Sequence, residues 1–341
     1  MLGLFCITRL LVALLTVTTL FIPDLSAQTT YSVRALRPSG ASFVDAHAGV
    51  NSVGQVAGRF VTTDSFAYLW TNGVFHKLGR GIAYGSNNLG QVVGVSPSTN
   101  HATLWKNGQA IDLGTLSAGG SSVAMGINDN GTVVGYDQTT TGTTHAFRWT
   151  PSSGMKYLSD LGGGSSQATH INSHGEIVGW AIDTSNRPRT VFWKSGKIHD
   201  LVIPDVDHSK GSSVNDSGEV IAQMLVSNGT TLGLIITSAG GGTIDVLSNF
   251  NNNVATAING PGTVVGYDFD SQGNTRPFAC FNRNVFDLNT LIPTSAQTKW
   301  LLQVAQGVND QGQIVGYGTY NGLSAAFLLT PTRTIQNASC F

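Results

Sequence analysis

The sequence predicts an all-β chain folded as a seven-bladed β-propeller of four-stranded blades. Two observations carry this: a unit of strand, tight turn and strand recurs along the chain, and the N-terminal strand supplies what the last repeat lacks. The unit is clearest at Gly126–Tyr136, GINDNGTVVGY. Its copies are VNSVGQVAG from Val50, SNNLGQVVG from Ser86, INDNGTVVG from Ile127, INSHGEIVG from Ile171, VNDSGEVIA from Val214, INGPGTVVG from Ile258 and VNDQGQIVG from Val308. The turn glycines Gly54, Gly90, Gly131, Gly175, Gly218, Gly262 and Gly312 lie 36, 41, 44, 43, 44 and 50 residues apart. A strand-rich period of roughly 40–50 residues is that of propeller blades, not of helical arrays.

The turn comes first within each unit. Asn51, Asn87, Asn128, Asn172, Asn215, Asn259 and Asn309 align three residues ahead of the glycine. Asn caps a turn through its side-chain oxygen and Gly supplies a positive φ, so Asn-x-x-Gly between apolar, β-branched runs reads as a hairpin. A second small residue follows four residues later: Gly58, Gly94, Gly135, Gly179, Ala222, Gly266 and Gly316. Inside a strand it marks close approach of another backbone or a ring.

A third, aromatic-rich run comes next: FAYLW at Phe66, HATLW at His101, HAFRW at His145, TVFW at Thr190, LGLII at Leu232, PFACF at Pro277 and AAFLL at Ala325. A short turn such as Asn72-Gly73 or Asn107-Gly108 leads to a fourth run, best seen as AIDLGTL from Ala110. Trp70, Trp105, Trp149 and Trp193 recur at the end of the third strand and read as packing between neighbouring blades. Asp112, Asp160, Asp200, Asp245 and Asp287 recur before the apolar residue of the fourth and read as loop-holding groups.

These units resemble the extracellular HAF repeat family, on His145-Ala146-Phe147, the INxxGxVVG core at Ile127–Gly135 and Asp112-Leu113-Gly114. The resemblance runs through nearly the whole chain after residue 27, and the copy at Val214–Ile236 departs from it most. It implies export and a repeat fold, and no settled activity.

Tyr31–Leu36 does not match a first strand. It matches the fourth strand at Gly196–Leu201, whereas the seventh repeat ends after its third strand. The N-terminal strand is therefore expected to complete the last blade, closing the ring and removing the exposed edges that invite aggregation. The propeller spans residues 28–333, and 334–341 form a tail. An open solenoid has no use for the permuted strand.

Residues 1–27 read as a secretory signal peptide, with Arg9, an apolar stretch from Leu10 to Ile22, and Leu25-Ser26-Ala27 before Gln28 as the cleavage site. The apolar stretch is short for a membrane span. The expected location is secreted, periplasmic or cell-surface, with no membrane span in the mature chain, which is expected to be a monomer. Cys280 and Cys340 remain after Cys6 leaves with the signal, an even count that permits one disulfide in an exported chain. A net charge of −1 with 11% charged residues argues against nucleic-acid binding, which needs a basic surface.

Alternating strands sort the connections onto two faces. One carries the uniform Asn-x-x-Gly turns, the other the loops that vary in length and sequence. Binding residues sit on loops held by a rigid scaffold, so the site is expected on the variable face around the channel mouth. Non-repeating residues there are Arg187 and Arg189, His208, Asp268 and Asp270, and Lys299 and Trp300. Asp205, Asp207, His208 and Lys210 stand together in the link before the fifth repeat.

Asp268-Phe269-Asp270 with Gly273 has the acidic start and sixth-position glycine of a calcium loop, but Gln272 and Ala279 stand where ligands belong, so no cofactor is expected and calcium is the weaker alternative. The two glutamates, Glu176 and Glu219, follow turn glycines and read as exposed strand residues, not the paired carboxylates of a glycosidase. His170 and His174 have the spacing of a zinc pair but straddle a strand and its turn.

The sequence thus points to a binding or scaffolding module for an extracellular polysaccharide or protein. The alternative is a hydrolase of sugars or lactones using Asp205, Asp207 and His208. A structural surface protein is the third reading.

Overall fold

A computed structural model describes residues 30–203, 206, 208–225, 231–236, 244–246, 252–281, 284–333 and 340. The strands form seven four-stranded antiparallel sheets, the blades of a propeller. Blades 1 to 6 occupy residues 43–80, 82–112, 121–157, 162–200, 208–246 and 254–287, each in sequence order from channel to rim. Blade 7 takes Trp300–Val308, Ile314–Tyr320 and Leu323–Pro331 from the end of the chain, and its outer strand is Tyr31–Leu36. That strand pairs from Tyr31 opposite Pro331 to Leu36 opposite Ala326, so the two chain ends close the ring. Two one-turn helices, Leu288–Leu291 and Thr294–Gln297, interrupt the β-structure in the long link before blade 7. No helix among the described residues is long and apolar enough to cross a membrane.

The turn asparagines do more than cap. Each side-chain oxygen accepts from the backbone N–H four residues on, for example from Gln55 at 2.9 Å and Thr263 at 2.7 Å. Each side-chain amide also donates to the backbone carbonyl of the equivalent asparagine in the next blade. The series runs from Asn51 to Asn87 (2.9 Å), Asn128 (3.0 Å), Asn172 (3.2 Å), Asn215 (3.0 Å), Asn259 (2.9 Å) and Asn309 (2.9 Å), and Asn309 returns to Asn51 (2.9 Å). The result is a closed belt of hydrogen bonds around one end of the channel, with every member buried. In five blades the amide also reaches the side chain after the turn glycine: Gln55, Gln91, Glu176, Glu219 or Gln313. Glu176 and Glu219 are therefore not exposed strand residues; Glu176 accepts from Asn172 at 2.8 Å and pairs with Lys194 at 2.6 Å.

The small residue of the second strand is explained by a bulge opposite it. The register of the first strand slips between Ala83 and Gly85, Ala124 and Gly126, Ala168 and His170, Gly211 and Ser213, Ala255 and Ala257, and Ala305 and Gly307. The slip drives a first-strand carbonyl toward the second strand: a Cβ at Gly135 would stand 2.0 Å from the Val123 oxygen, and one at Gly316 1.9 Å from that of Val304. Blade 5 swaps the pair. Everywhere else in blades 2 to 7 an alanine faces the glycine, but there Gly211 faces Ala222. A Cβ at Gly211 would stand 2.8 Å from the Gly179 oxygen and 2.6 Å from the Val178 side chain, so this glycine lets blade 5 approach blade 4 closely.

The tryptophans pack backward onto the preceding blade. Trp105 lies among Ala57, Ala67 and Leu69 of blade 1, Trp193 among Val134 and Ala146 of blade 3, and Trp70 against Val315, Ala326 and Leu328 of blade 7. Burying such a side chain contributes on the order of 2–3 kcal/mol. In blade 6 the same register position, opposite the first residue of the second strand, holds Cys280, opposite Val264 as Trp105 is opposite Val92. Cys280 is joined to Cys340 with Cα atoms 5.1 Å apart, and the Cys340 N–H donates to Gly262 O at 2.9 Å. Cys340 packs with Ile221, Ile258 and Val264, so the end of the chain fills space that a tryptophan ring fills in other blades.

Replacing Asn128 by Asp keeps the acceptor for Thr132 and removes the donor to Asn172, setting a carboxylate against a carbonyl. The expected loss is about 3 kcal/mol, read from chemical denaturation; a change below about 0.5 kcal/mol would remove the belt from the stabilising interactions. Cys340→Ser opens a loop of 60 residues and is expected to cost up to roughly 4 kcal/mol on the chain-entropy account, with reduction of the wild type giving the same shift in Tm. An unchanged Tm in both experiments contradicts the bond.

Candidate functional site

The channel that the asparagine belt encircles holds a cavity of about 830 Å³. That volume is in the range of small-molecule and cofactor pockets. Two positions per blade build its wall. One lies three residues before the turn asparagine: Tyr84, Met125, Thr169, Ser212, Thr256 and Gln306, which sit at the first-strand slip in blades 2 to 7, and Ala48, which lies after the short first strand of blade 1. The other follows the small residue of the second strand and contributes Arg59, Trp180, Gln223, Tyr267 and Tyr317. Val50, Ile127, Ile258 and Val308, each next to a belt asparagine, line the narrow end.

Several of the polar wall groups are occupied by the fold. The Thr169 hydroxyl donates to Gly211 O at 2.9 Å, that of Ser212 to Ala255 O at 3.2 Å and that of Thr256 to Ala305 O at 2.9 Å. These form a second tier of links between blades. Asp45 is the one carboxylate of the wall among the described residues, and it is buried. Its oxygens accept from the Arg59 side chain at 2.8 Å, from the Arg59 backbone N–H at 3.1 Å and from that of His47 at 3.3 Å.

The two wall histidines have defined tautomers. Gln306 Oε1 accepts from the Ala46 N–H at 3.0 Å, so its amide nitrogen is the group 3.0 Å from His47 Nδ1 and must donate to it. In the same way the Val214 N–H donates to His170 Nδ1 at 3.4 Å. Both rings therefore carry their proton on Nε2 and act as donors, not bases. Burial lowers both imidazoles below the ordinary histidine range, His170 to about 4. Burial also raises the phenols of Tyr84, Tyr267 and Tyr317, which stay protonated.

Rings cover much of the wall. Tyr267 meets Phe269 edge-on at 5.6 Å, Phe43 meets Tyr317 at 5.7 Å, and His47 meets Tyr84 at 5.2 Å. The Arg59 guanidinium lies 5.2 Å from the centre of Phe43. Lys210 Nζ stands 4.4 Å over Trp180 and has no carboxylate partner among the described residues.

None of the seven loop residues chosen from the sequence lines this cavity. Arg187 closes a turn on Asp183 at 3.1 Å, and Arg189 is buried with its guanidinium 3.5 Å from Asp200. Asp268 is buried and paired with Arg276 at 2.7 Å, while Asp270 caps its loop through the N–H groups of Gln272 and Asn274 at 2.8 and 2.9 Å. Both carboxylates of the calcium-loop reading are thus engaged within the sheet and its turn. Trp300 is buried in the blade 7 core against Tyr320 and Phe327, and Lys299 is exposed beside it. His208 is exposed at the start of the first strand of blade 5, and Asp205 and Asp207 lie outside the described residues.

The wall residues that loop-based reasoning missed leave a signal. They vary at positions where the surrounding repeat does not: the residue after the second-strand glycine is Arg59, Val95, Tyr136, Trp180, Gln223, Tyr267 or Tyr317. A buried strand face held constant on one side and free on the other marks the lumen.

No family model matches the chain, and no curated protein matches its sequence. Solved structures do resemble it. A puromycin-hydrolyzing peptidase of Mycobacterium tuberculosis matches with a TM-score of 0.54 and 11% identity over 90% of this chain and 55% of that one. A puromycin hydrolase matches at 0.54 and 11% over 91% and 58%. TolB of Acinetobacter baumannii gives 0.48 and 10% over 82% and 64%. The chain spans less than two thirds of the length of each of these structures. Identities this low show the propeller fold alone.

His170 gives the site a pH signature. It is neutral in the fold down to about 4, whereas the unfolded chain takes up a proton near 6.5. The stability this provides is complete above pH 6.5 and is lost as the pH falls toward 4. His170→Gln, which can still accept from Val214, is expected to flatten the fall in Tm between pH 7 and pH 4.5; parallel curves for the two proteins would contradict the assignment.

Proposed function

We propose that this chain is an exported binding module of the HAF repeat type whose central channel takes the end of an extracellular sugar chain. The observation that carries the reading is the wall itself. A cavity of about 830 Å³ presents aromatic faces beside uncharged hydrogen-bonding groups, and its one described carboxylate is already paired. Pyranose rings offer apolar C–H faces for stacking and hydroxyls for donors and acceptors, which matches Trp180, Tyr267 and Tyr317 standing near Gln223. Export rests on the signal-like character of residues 1–27. The hydrolase alternative has less support. Retaining and inverting glycosidases use two carboxylates across the bond, and the histidines of the wall offer an N–H where a base needs a lone pair.

Trp180 is the tryptophan of the wall, so ligand in the channel should change the intrinsic fluorescence. The mature chain from Gln28 would be titrated with a panel of oligosaccharides, neutral and acidic, and the solution assayed for new reducing ends. Saturable quenching without product is expected, with Tyr267→Ala weakening it by about tenfold. New reducing ends would replace this reading with the hydrolase.

A further inference from the structure

The hydrogen-bonding balance of the wall narrows the ligand further. The carboxylate and amide acceptors contributed to the wall by Asp45 and Gln306 are consumed. Both Asp45 oxygens are taken by Arg59 and the His47 backbone, and Gln306 Oε1 is taken by Ala46. Its donors are not. His47 and His170 each retain an Nε2–H, because Nδ1 of each is occupied as an acceptor. Tyr84, Tyr267 and Tyr317 retain phenolic hydroxyls.

The charges lean the same way. Arg59 and Lys210 are cationic, Asp45 is anionic, and the Arg59–Asp45 pair is neutral as a unit. Lys210 is left over. It is exposed, and its ammonium lies over the Trp180 ring instead of against a carboxylate. Lys210 is an exposed, flexible side chain, so a sugar ring that takes the Trp180 face displaces the ammonium to the ring's edge, where it meets an anionic substituent of that sugar.

We infer that the channel recognises an acidic sugar, with the carboxylate of a uronate held by Lys210 and the ring stacked on Trp180. The inference rests on the sugar-binding reading above and adds the charge. A free peptide carboxylate has the same anionic group but lacks the pyranose face that the rings of Trp180, Tyr267 and Tyr317 would cover.

The test compares trigalacturonate with its methyl ester, which removes the charge and keeps the ring. Binding to the full mature chain is followed by calorimetry, with a triglucuronate, neutral trisaccharides and the tripeptide Ala-Ala-Ala alongside. Trigalacturonate or triglucuronate is expected to bind at least about tenfold tighter than the matching ester, and to weaken as salt rises. Lys210→Gln should remove the preference and Lys210→Arg should keep most of it, with thermal melts showing both variants folded. Lys197→Gln, an exposed lysine on the outer strand of blade 4, should bind as the wild type does. Equal binding of acid and ester, or a preference that survives Lys210→Gln, overturns the charge assignment and leaves the sugar reading standing. Binding of the tripeptide but of no saccharide overturns both in favour of a peptide ligand. No binding by any saccharide or by the tripeptide also overturns both.

Discussion

The asparagine belt is the constraint on which the rest of the structure depends. Each side chain must accept from its own turn and donate to the next blade, so the turn and the angle between blades are set by one residue. Asparagine is suited to this because its amide offers an acceptor and donors on a short stem. Aspartate lacks the donor, and glutamine places it one carbon too far out. The bond from Asn309 to Asn51 is as short as those within the series, so the ring closes without a distorted step between blades 7 and 1. Closure occurs again at the rim, where Tyr31–Leu36 completes blade 7, and the two devices act at opposite radii of the same joint.

The bulge and the facing small residue form the second constraint, and they connect the fold to the site. A slipped first strand leaves one residue per blade turned into the channel, and the carbonyl it displaces tolerates no side chain opposite. The glycine thus serves a lumen position that it does not occupy. Blade 5 is the exception, with Ala222 at the glycine position opposite Gly211. The fold then supplies up to two inward-facing positions per blade, some of which, as at Thr169, Ser212 and Thr256, also tie one blade to the next.

At those positions the chain has placed rings and hydrogen-bonding groups, and Lys210 stands nearby without a carboxylate partner among the described residues. The loop residues of the variable face are largely used locally, Arg187 on Asp183, Arg189 on Asp200, and Asp268 on Arg276. A charged residue in a sheet loop finds a partner within its own blade because the antiparallel register brings one within reach, as Asp268 lies directly opposite Arg276. Some wall residues pair in the same way, Arg59 on Asp45 and Gln306 on His47, but Lys210 does not meet a carboxylate among the described residues. Among the described residues Lys210 faces the ring of Trp180, and the proposed ligand would supply the anion it lacks.

The sequence by itself determined the blade count, the strand order, the hairpin turns and the permuted closing strand, because each is written in local, repeated residues: Asn-x-x-Gly, the paired small residue, the third-strand Trp. The Asn72-Gly73 and Asn107-Gly108 turns adopt the positive φ angles that their residues favour. Two cysteines could be paired by count alone, but only the folded chain brings the tail across blade 6 to set Cys340 where other blades hold tryptophan. The belt was half legible: the capping role of the asparagine oxygen is local, whereas the donor role of its nitrogen joins residues 36 to 50 apart, and 258 apart where the ring closes. The candidate site was the least legible part. Loop variability is visible along the chain, but which variable strand residues share a lumen is set by the bulge and by the radial order of strands. Those are decided only when seven blades meet around one axis.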